Sequence, residues 1–377
     1  MSDTMDTPEM GAPTMGQTTE APEMGESSDA QAMGERMETP QADDAMNGRM
    51  KAISQDELGG PEVLKLVTLP IPEPGVSEIL IRVQAAGVNP IDGAIRETGA
   101  FVGQPPFVLG WDVSGTVEAV GPGVTLYKPG DEVFGLLPFP QGHGAYAQYV
   151  VGPTRAFVPK PDRLDHVQAA AIPTVGLTAW QALVDTAGVG EGSRVLIIGA
   201  AGGIGHLAVQ IAKARGAHVT GLASADDLDF VRSLGADEAI DYNATDFTEV
   251  VRDPDVVLDV VGGDYPARAV DVLRRGGILV STQPPTLAPL GEVATERGVR
   301  LAGIIAEADQ VGMFALAALA ETGQLVPTIA AAFPLEEAAG ASATTDLAAS
   351  DGRFPLEEGG PAQSGKHGPG KVVLTIV

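Results

Sequence analysis

The apolar run Val195-Leu196-Ile197-Ile198 leads into Gly199-Ala200-Ala201-Gly202-Gly203-Ile204-Gly205, and a helical pattern follows from His206 to Arg215. A buried strand, a glycine-rich turn and a helix in that order form a cradle for a dinucleotide. Gly202 and Gly203, with Ile204, let the backbone approach a pyrophosphate, and Gly205 allows the helix to pack closely on the strand. The helix N-terminus adds unpaired N–H groups and the positive end of the helix dipole. Ala200 stands where the pattern usually has its first glycine.

About twenty residues further on, proteins that prefer NAD place an Asp or Glu against the ribose hydroxyls. Here that strand ends Gly221-Leu222-Ala223-Ser224, with no carboxylate at Ala223 and a hydroxyl at Ser224. The 2′-phosphate of NADP is tolerated by such an end, so NADPH is the expected cofactor. Asp226 and Asp227 oppose this if they face the phosphate, and no Arg or Lys stands nearby as a clamp.

These residues need a framework, and 377 residues with 44% hydrophobic positions suffice for two domains. There is no cysteine, which excludes disulfides, thiolate zinc sites, iron–sulfur clusters and cysteine nucleophiles. The formal net charge of −27 argues against nucleic acid and against an anionic membrane as standing partners. No basic start followed by an apolar run is present, and no uninterrupted apolar segment is long enough to span a bilayer, so the cytoplasm is the expected location.

Residues 1–49 carry Met-Gly pairs at Met10, Met15, Met24 and Met33 among Pro, Thr, Ser, Asp and Glu, and are expected to be a disordered acidic tail. Residues 50–165 read as a β-rich module, with strands at 79–83, 113–120, 132–134 and 146–151 between Gly and Pro turns. Residues 166–320 alternate strand and helix: a helix over 165–187, then strands near 194–198, 218–222, 239–241, 256–261, 277–281 and 299–304, and a helix through 313–319. That alternation predicts a doubly wound parallel sheet. Residues 321–377 return to the β-rich module and end in a strand over 371–377. Phe-Pro-Leu-Glu-Glu occurs at 333–337 and again at 354–358, a short duplication that leaves open which copy is structural.

Ala86-Gly87-Val88-Asn89-Pro90-Ile91-Asp92, Leu109-Gly110-Trp111-Asp112-Val113-Ser114-Gly115, Gly130-Asp131-Glu132-Val133 and Gly176-Leu177-Thr178-Ala179 together resemble the zinc-free quinone oxidoreductase, or zeta-crystallin-like, branch of the medium-chain dehydrogenase/reductase superfamily. The resemblance covers nearly everything from Met50 onward. It implies an α/β protein in which a GroES-like β-rich catalytic domain is interrupted by a Rossmann domain. Zinc alcohol dehydrogenases of that superfamily place a cysteine where Asn89 stands and Gly-His-Glu where Gly110-Trp111-Asp112 stands, so no zinc is expected. The chemistry left is hydride delivery from reduced nicotinamide to a quinone or an α,β-unsaturated carbonyl.

The resemblance puts Asn89 beside the nicotinamide ribose and the substrate, where its amide would donate to a developing oxyanion. A plain turn before Pro90 is the alternative, and Asp92 is expected to cap rather than to relay protons. A tyrosine common in the family is replaced by Ala94. Thr178, Tyr242, Gly262 and Ser281 would contact the cofactor, although Tyr242 also reads as a half-buried strand end and Gly262 as a loop. An enoyl-thioester reductase and an idle cofactor-binding protein are the competing functions. The resemblance further implies a homodimer joined through the last Rossmann strand.

Overall fold

The computed structural model describes residues 48–350 and 368–376, the side chains of 347–350 excepted. The tail expected over 1–49 and the second Phe-Pro-Leu-Glu-Glu copy lie outside the described residues, apart from Gly48 and Arg49. Arg49 already belongs to a strand, so the folded part starts slightly earlier than the composition implied.

The strands of the first half are β1 (Arg49–Gln55), β2 (Lys65–Pro70), β3 (Glu78–Val88), β4 (Phe107–Val108), β5 (Asp112–Val120), β6 (Glu132–Leu136), β7 (Tyr149–Pro153) and β8 (Phe157–Pro159). The next six are β9 (Arg194–Ile198), β10 (His218–Ala223), β11 (Glu238–Asp241), β12 (Val256–Asp259), β13 (Ile278–Ser281) and β14 (Arg300–Gly303). The chain closes with β15 (Ile329–Pro334) and β16 (Lys371–Thr375).

Strands β9 to β14 make one sheet in the order β11-β10-β9-β12-β13-β14, and every neighbouring pair is parallel. Val195–Ile198 and Val256–Asp259 are buried without alternation, as strands covered by helices on both faces must be. The edge strands β11 and β14 are only partly buried. This is a Rossmann arrangement, and a GroES-like β-rich module surrounds it in sequence. That module holds a small sheet β2-β1-β4 and a large one ordered β15-β16-β3-β5-β6-β8, with β7 pairing β3. The chain's last strand is thus inserted inside the large sheet, parallel to β15 and antiparallel to β3.

Two local expectations are corrected. The helix expected over 165–187 is three pieces: His166–Ala170, Pro173–Trp180 and a wider π turn over Gln181–Thr186. Pro173 has no N–H to give and crowds the preceding turn, so a new helix starts there. The strand expected over 146–151 is β7, shifted to Tyr149–Pro153; Tyr146 bonds instead to Leu109 O and to the Ile53 N–H of β1. The β1–β2 hairpin was not anticipated. The helix His166–Ala170 packs on β3 and β5, which keeps it with the β-rich module, whereas Pro173–Trp180 packs on the helix Gly203–Ala214.

A β-carbon on Gly205 would overlap the carbonyl oxygen of Gly199 and press on the Ala200 backbone. Neither neighbour is a flexible side chain that could swing away. Gly205→Ala is therefore expected to lower unfolding stability by about 1–3 kcal/mol in urea denaturation; an unchanged midpoint would mean that the helix has room to retreat.

Candidate functional site

The C-terminal ends of the parallel strands gather most of the residues singled out from the sequence. Gly202 is the N-cap of the helix Gly203–Ala214, so Gly203, Ile204 and Gly205 form its first turn. The turn is tied to the next strand by Ala200 N–H, which donates to Leu222 O at 2.8 Å. A β-carbon on Gly203 would sit 3.5 Å from the Lys371 side chain and 3.6 Å from Val175, both ordinary contact distances, so the Lys371 stem runs beside the start of this helix.

At the end of β10 the Ser224 hydroxyl donates to Asp227 Oδ2 at 2.7 Å. The carboxylate that the sequence left ambiguous thus lies against the hydroxyl. Tyr242 follows β11, and its N–H donates to Ala223 O at 3.2 Å, which brings it next to Ser224; its side chain is exposed. Gly262 and Ser281, after β12 and within β13, are joined by a residue the sequence reading passed over. Asp259 is buried; its Oδ1 accepts from Gly262 N–H at 3.0 Å and from Val261 N–H at 3.1 Å, while its Oδ2 accepts from Ser281 Oγ at 2.7 Å. Burial pushes the Asp259 carboxyl above the usual range, against these three donors.

Asn89 and Thr178 lie on the other side, in and against the β-rich module. Asn89 is the N-cap of the helix Pro90–Thr98 and is almost wholly buried. Its N–H donates to Asp92 Oδ2 at 2.9 Å, its Nδ2 donates to Asp112 Oδ2 at 2.9 Å, and its Oδ1 accepts from Lys371 Nζ at 2.5 Å. Lys371 Nζ also donates to Val88 O at 2.7 Å and lies 3.6 Å from Asp112 Oδ2. Asp112 Oδ1 accepts from both Thr174 N–H and Thr174 Oγ1 at 2.6 Å. One turn later in that helix, the Thr178 hydroxyl donates to Thr174 O at 2.7 Å. Asn89 and Thr178 are therefore linked through Asp112.

Asp92 caps, as expected, and has a further partner beyond the cap. Tyr146 Oη donates to its Oδ2 at 2.6 Å, whereas its Oδ1 is buried with no hydrogen-bond partner. Burial pushes the carboxyl up to about 7; the bonds from Tyr146 and the Asn89 N–H, and the nearby Lys371 charge, pull in the opposite direction. Burial lowers Lys371 from its ordinary value, and Asp112 and Asp92 raise it again. Lys371, Asp112 and Tyr146 were not identified from the sequence as site residues, because each acquires its meaning only from contacts far along the chain. The only advance signal was that Asp112 lies in a motif shared with the family.

The Trp111 ring is buried, its Nε1 has no partner, and it packs on Phe139 at 5.2 Å, which in turn meets Phe101 at 5.4 Å. His206, inside the nucleotide helix, is buried and held down to about 4 by that burial. Its Nδ1 is 3.0 Å from Gly202 O and its Nε2 accepts from Thr328 N–H at 3.2 Å, which makes it a neutral structural histidine. Among the described residues, no group of three or more His, Asp or Glu is placed to hold a metal ion. No helix there is long and apolar enough to cross a membrane.

Comparison with known proteins agrees with this architecture. Residues 75–162 match the alcohol dehydrogenase GroES-like domain, and residues 234–353 match the zinc-binding dehydrogenase family. The human protein named quinone oxidoreductase is 33% identical over 306 residues, 77% of this chain and 92% of its own length. The mouse protein named NAD(P)H oxidoreductase RTN4IP1, mitochondrial, is 37% identical over 276 residues, 66% of this chain and 69% of its own. The solved quinone oxidoreductase from Coxiella burnetii superposes with a TM-score of 0.76 at 34% identity, covering 87% of this chain and 100% of that one.

The value of about 7 for Asp92 lies above the unfolded value of 3.8, so between the two the folded state binds more protons. Its contribution to stability is fully present below the unfolded value and is lost as pH rises through the folded one. Asp92→Asn removes that dependence. The melting temperature of the variant minus that of the wild type is expected to rise between about pH 5 and about pH 8; a difference that stays flat would show that Asp92 does not titrate in this window.

Proposed function

The chain belongs to the quinone oxidoreductase branch of the medium-chain dehydrogenase/reductase superfamily, and from that premise we propose that it is an NADPH-dependent, zinc-independent reductase of quinones or α,β-unsaturated carbonyls. The observation that carries this reading is the meeting of the two halves. Lys371, bonded to Asn89, runs beside Gly203 at the start of the nucleotide helix. Reduced nicotinamide held at these strand ends supplies the hydride.

The chain's own residues do the rest. The helix N-terminus at Gly202 and Gly203 receives the pyrophosphate, and Asp259 holds Gly262 and Ser281 together on the nicotinamide side. Asn89 Nδ2 spends one hydrogen on Asp112 and keeps the other for the oxygen that gains charge as the acceptor is reduced. The buried, apolar surroundings of Trp111 and Phe139 exclude water from a planar acceptor.

Zinc independence rests on the donor set: with no cysteine in the chain, the oxygens of Asn89 and Asp112 already face an ammonium, which would repel a divalent cation. NADPH as donor rests on Ala223, Ser224 and Tyr242, with Asp227 setting how well the 2′-phosphate is tolerated. The assignment to the cytoplasm stands as part of the same reading. So does a homodimer joined along β14, which has one edge unpaired among the described residues and the exposed Ile305 beside it.

Oxidation of NADPH and NADH is to be followed with quinones, enones and enoyl-CoA esters, with and without chelator. Turnover on quinones or enones that chelator leaves intact is expected; turnover confined to enoyl-CoA, or none, overturns the reading. Asp227→Ser is expected to lower the NADPH KM by about tenfold while leaving NADH nearly unchanged, as removing one unit charge near a phosphate should. If the wild type already favours NADH, the choice of donor is wrong. Sedimentation that yields a monomer would remove the dimer.

A further inference from the structure

We propose that Lys371 is a positioning residue: its buried ammonium decides which way round the Asn89 carboxamide sits, so that an N–H and not the carbonyl oxygen is presented to the reducible acceptor. This rests on the oxidoreductase reading above. A carboxamide is nearly symmetric in shape, so its partners determine its orientation. Here both partners discriminate. Lys371 Nζ can only donate, and it meets Asn89 Oδ1 at 2.5 Å; the Asp112 carboxylate accepts Nδ2 at 2.9 Å. A flip would set donor against donor and acceptor against acceptor, among residues that are 4% exposed or less.

Lys371 is itself held with little freedom. It opens β16, where its N–H donates to Thr328 O at 2.8 Å, while the N–H of Gly370 just before it donates to Ala201 O in the nucleotide turn at 3.3 Å. Its ammonium is fixed by Val88 O and balanced by Asp112. The strand that threads the large sheet therefore carries one cation to the point where the nucleotide turn and the acceptor-facing amide meet. No protein group among the described residues takes the second hydrogen on Asn89 Nδ2, which leaves it directed by the other two bonds.

The test is a double-mutant cycle of Lys371→Met and Asn89→Ala, read in two ways. In steady-state turnover each single change is expected to lower kcat by about tenfold or more, with the KM for the nicotinamide donor within about twofold, and the double variant to be no worse than the poorer single. In the second readout, p-nitrophenolate, an oxyanion that cannot be reduced at its oxygen, is titrated into the protein with NADP+ by its absorbance. Each single variant should weaken its binding by about tenfold, and the double no further.

Should Lys371→Met fail to fold, Lys371→Met/Asp112→Asn removes both charges together and takes its place in the cycle. Effects that multiply in the double variant, or a Lys371 variant that matches the wild type in both readouts, make the lysine only an internal counter-ion. A wild type that binds the phenolate no better than Asn89→Ala also overturns the assignment. A wild type that reduces no quinone or enone, with the phenolate cycle still non-additive, removes the functional reading and leaves the role of Lys371 standing.

Discussion

The β-rich module carries one buried ion pair inside its large sheet, close to where the nucleotide turn meets it. Lys371 and Asp112 are both nearly inaccessible and lie 3.6 Å apart. Burying two charges consumes most of their attraction, yet removing one partner costs about 3–5 kcal/mol because the other is left uncompensated. Such a pair adds little net stability and a great deal of specification. It requires β16 to enter between β15 and β3 in the register that sets Val372 opposite Val88. A slip of one residue would turn the ammonium to the opposite face of the sheet.

The nucleotide half solves a similar problem with a carboxylate alone. Asp259 closes β12 and uses its oxygens to gather backbone N–H groups from its own loop and the hydroxyl of Ser281 from the neighbouring strand. Loops that would otherwise move independently are thus held together at the sheet's carboxyl edge. The strand order places β10 on one side of β9 and β12 on the other. The connections after β9 and β12 consequently diverge and open a crevice where the glycine turn lies.

What could be read in the sequence follows from the range over which each feature is determined. β9 falls where its apolar run and glycine turn put it, and the other Rossmann strands fall within a residue or two, because continuous burial and Gly-rich exits are local signals. The β1–β2 hairpin was missed because β2 is mostly exposed and shows little contrast between its faces. The helix over 165–187 was read as continuous because its apolar pattern crosses Pro173 without pause. In the site, the glycine turn and the capping role of Asp92 are local and legible. The partnership of Asn89 with Lys371, or of Asp92 with Tyr146, joins segments that only the folded sheet brings together.

The charge of the whole protein makes this local arrangement more telling. At −27 the molecule as a whole repels anions, and Asp227 adds a carboxylate against Ser224 at the end of β10. That long-range repulsion is screened within about 8 Å at physiological salt, whereas N–H groups at a helix start act at contact distance and in a lower dielectric. Lys371 arrives along β16, with its alkyl stem against Gly203. Because that ammonium is already balanced by Asp112, attraction for an anion at the glycine turn rests on the N–H groups of the helix start.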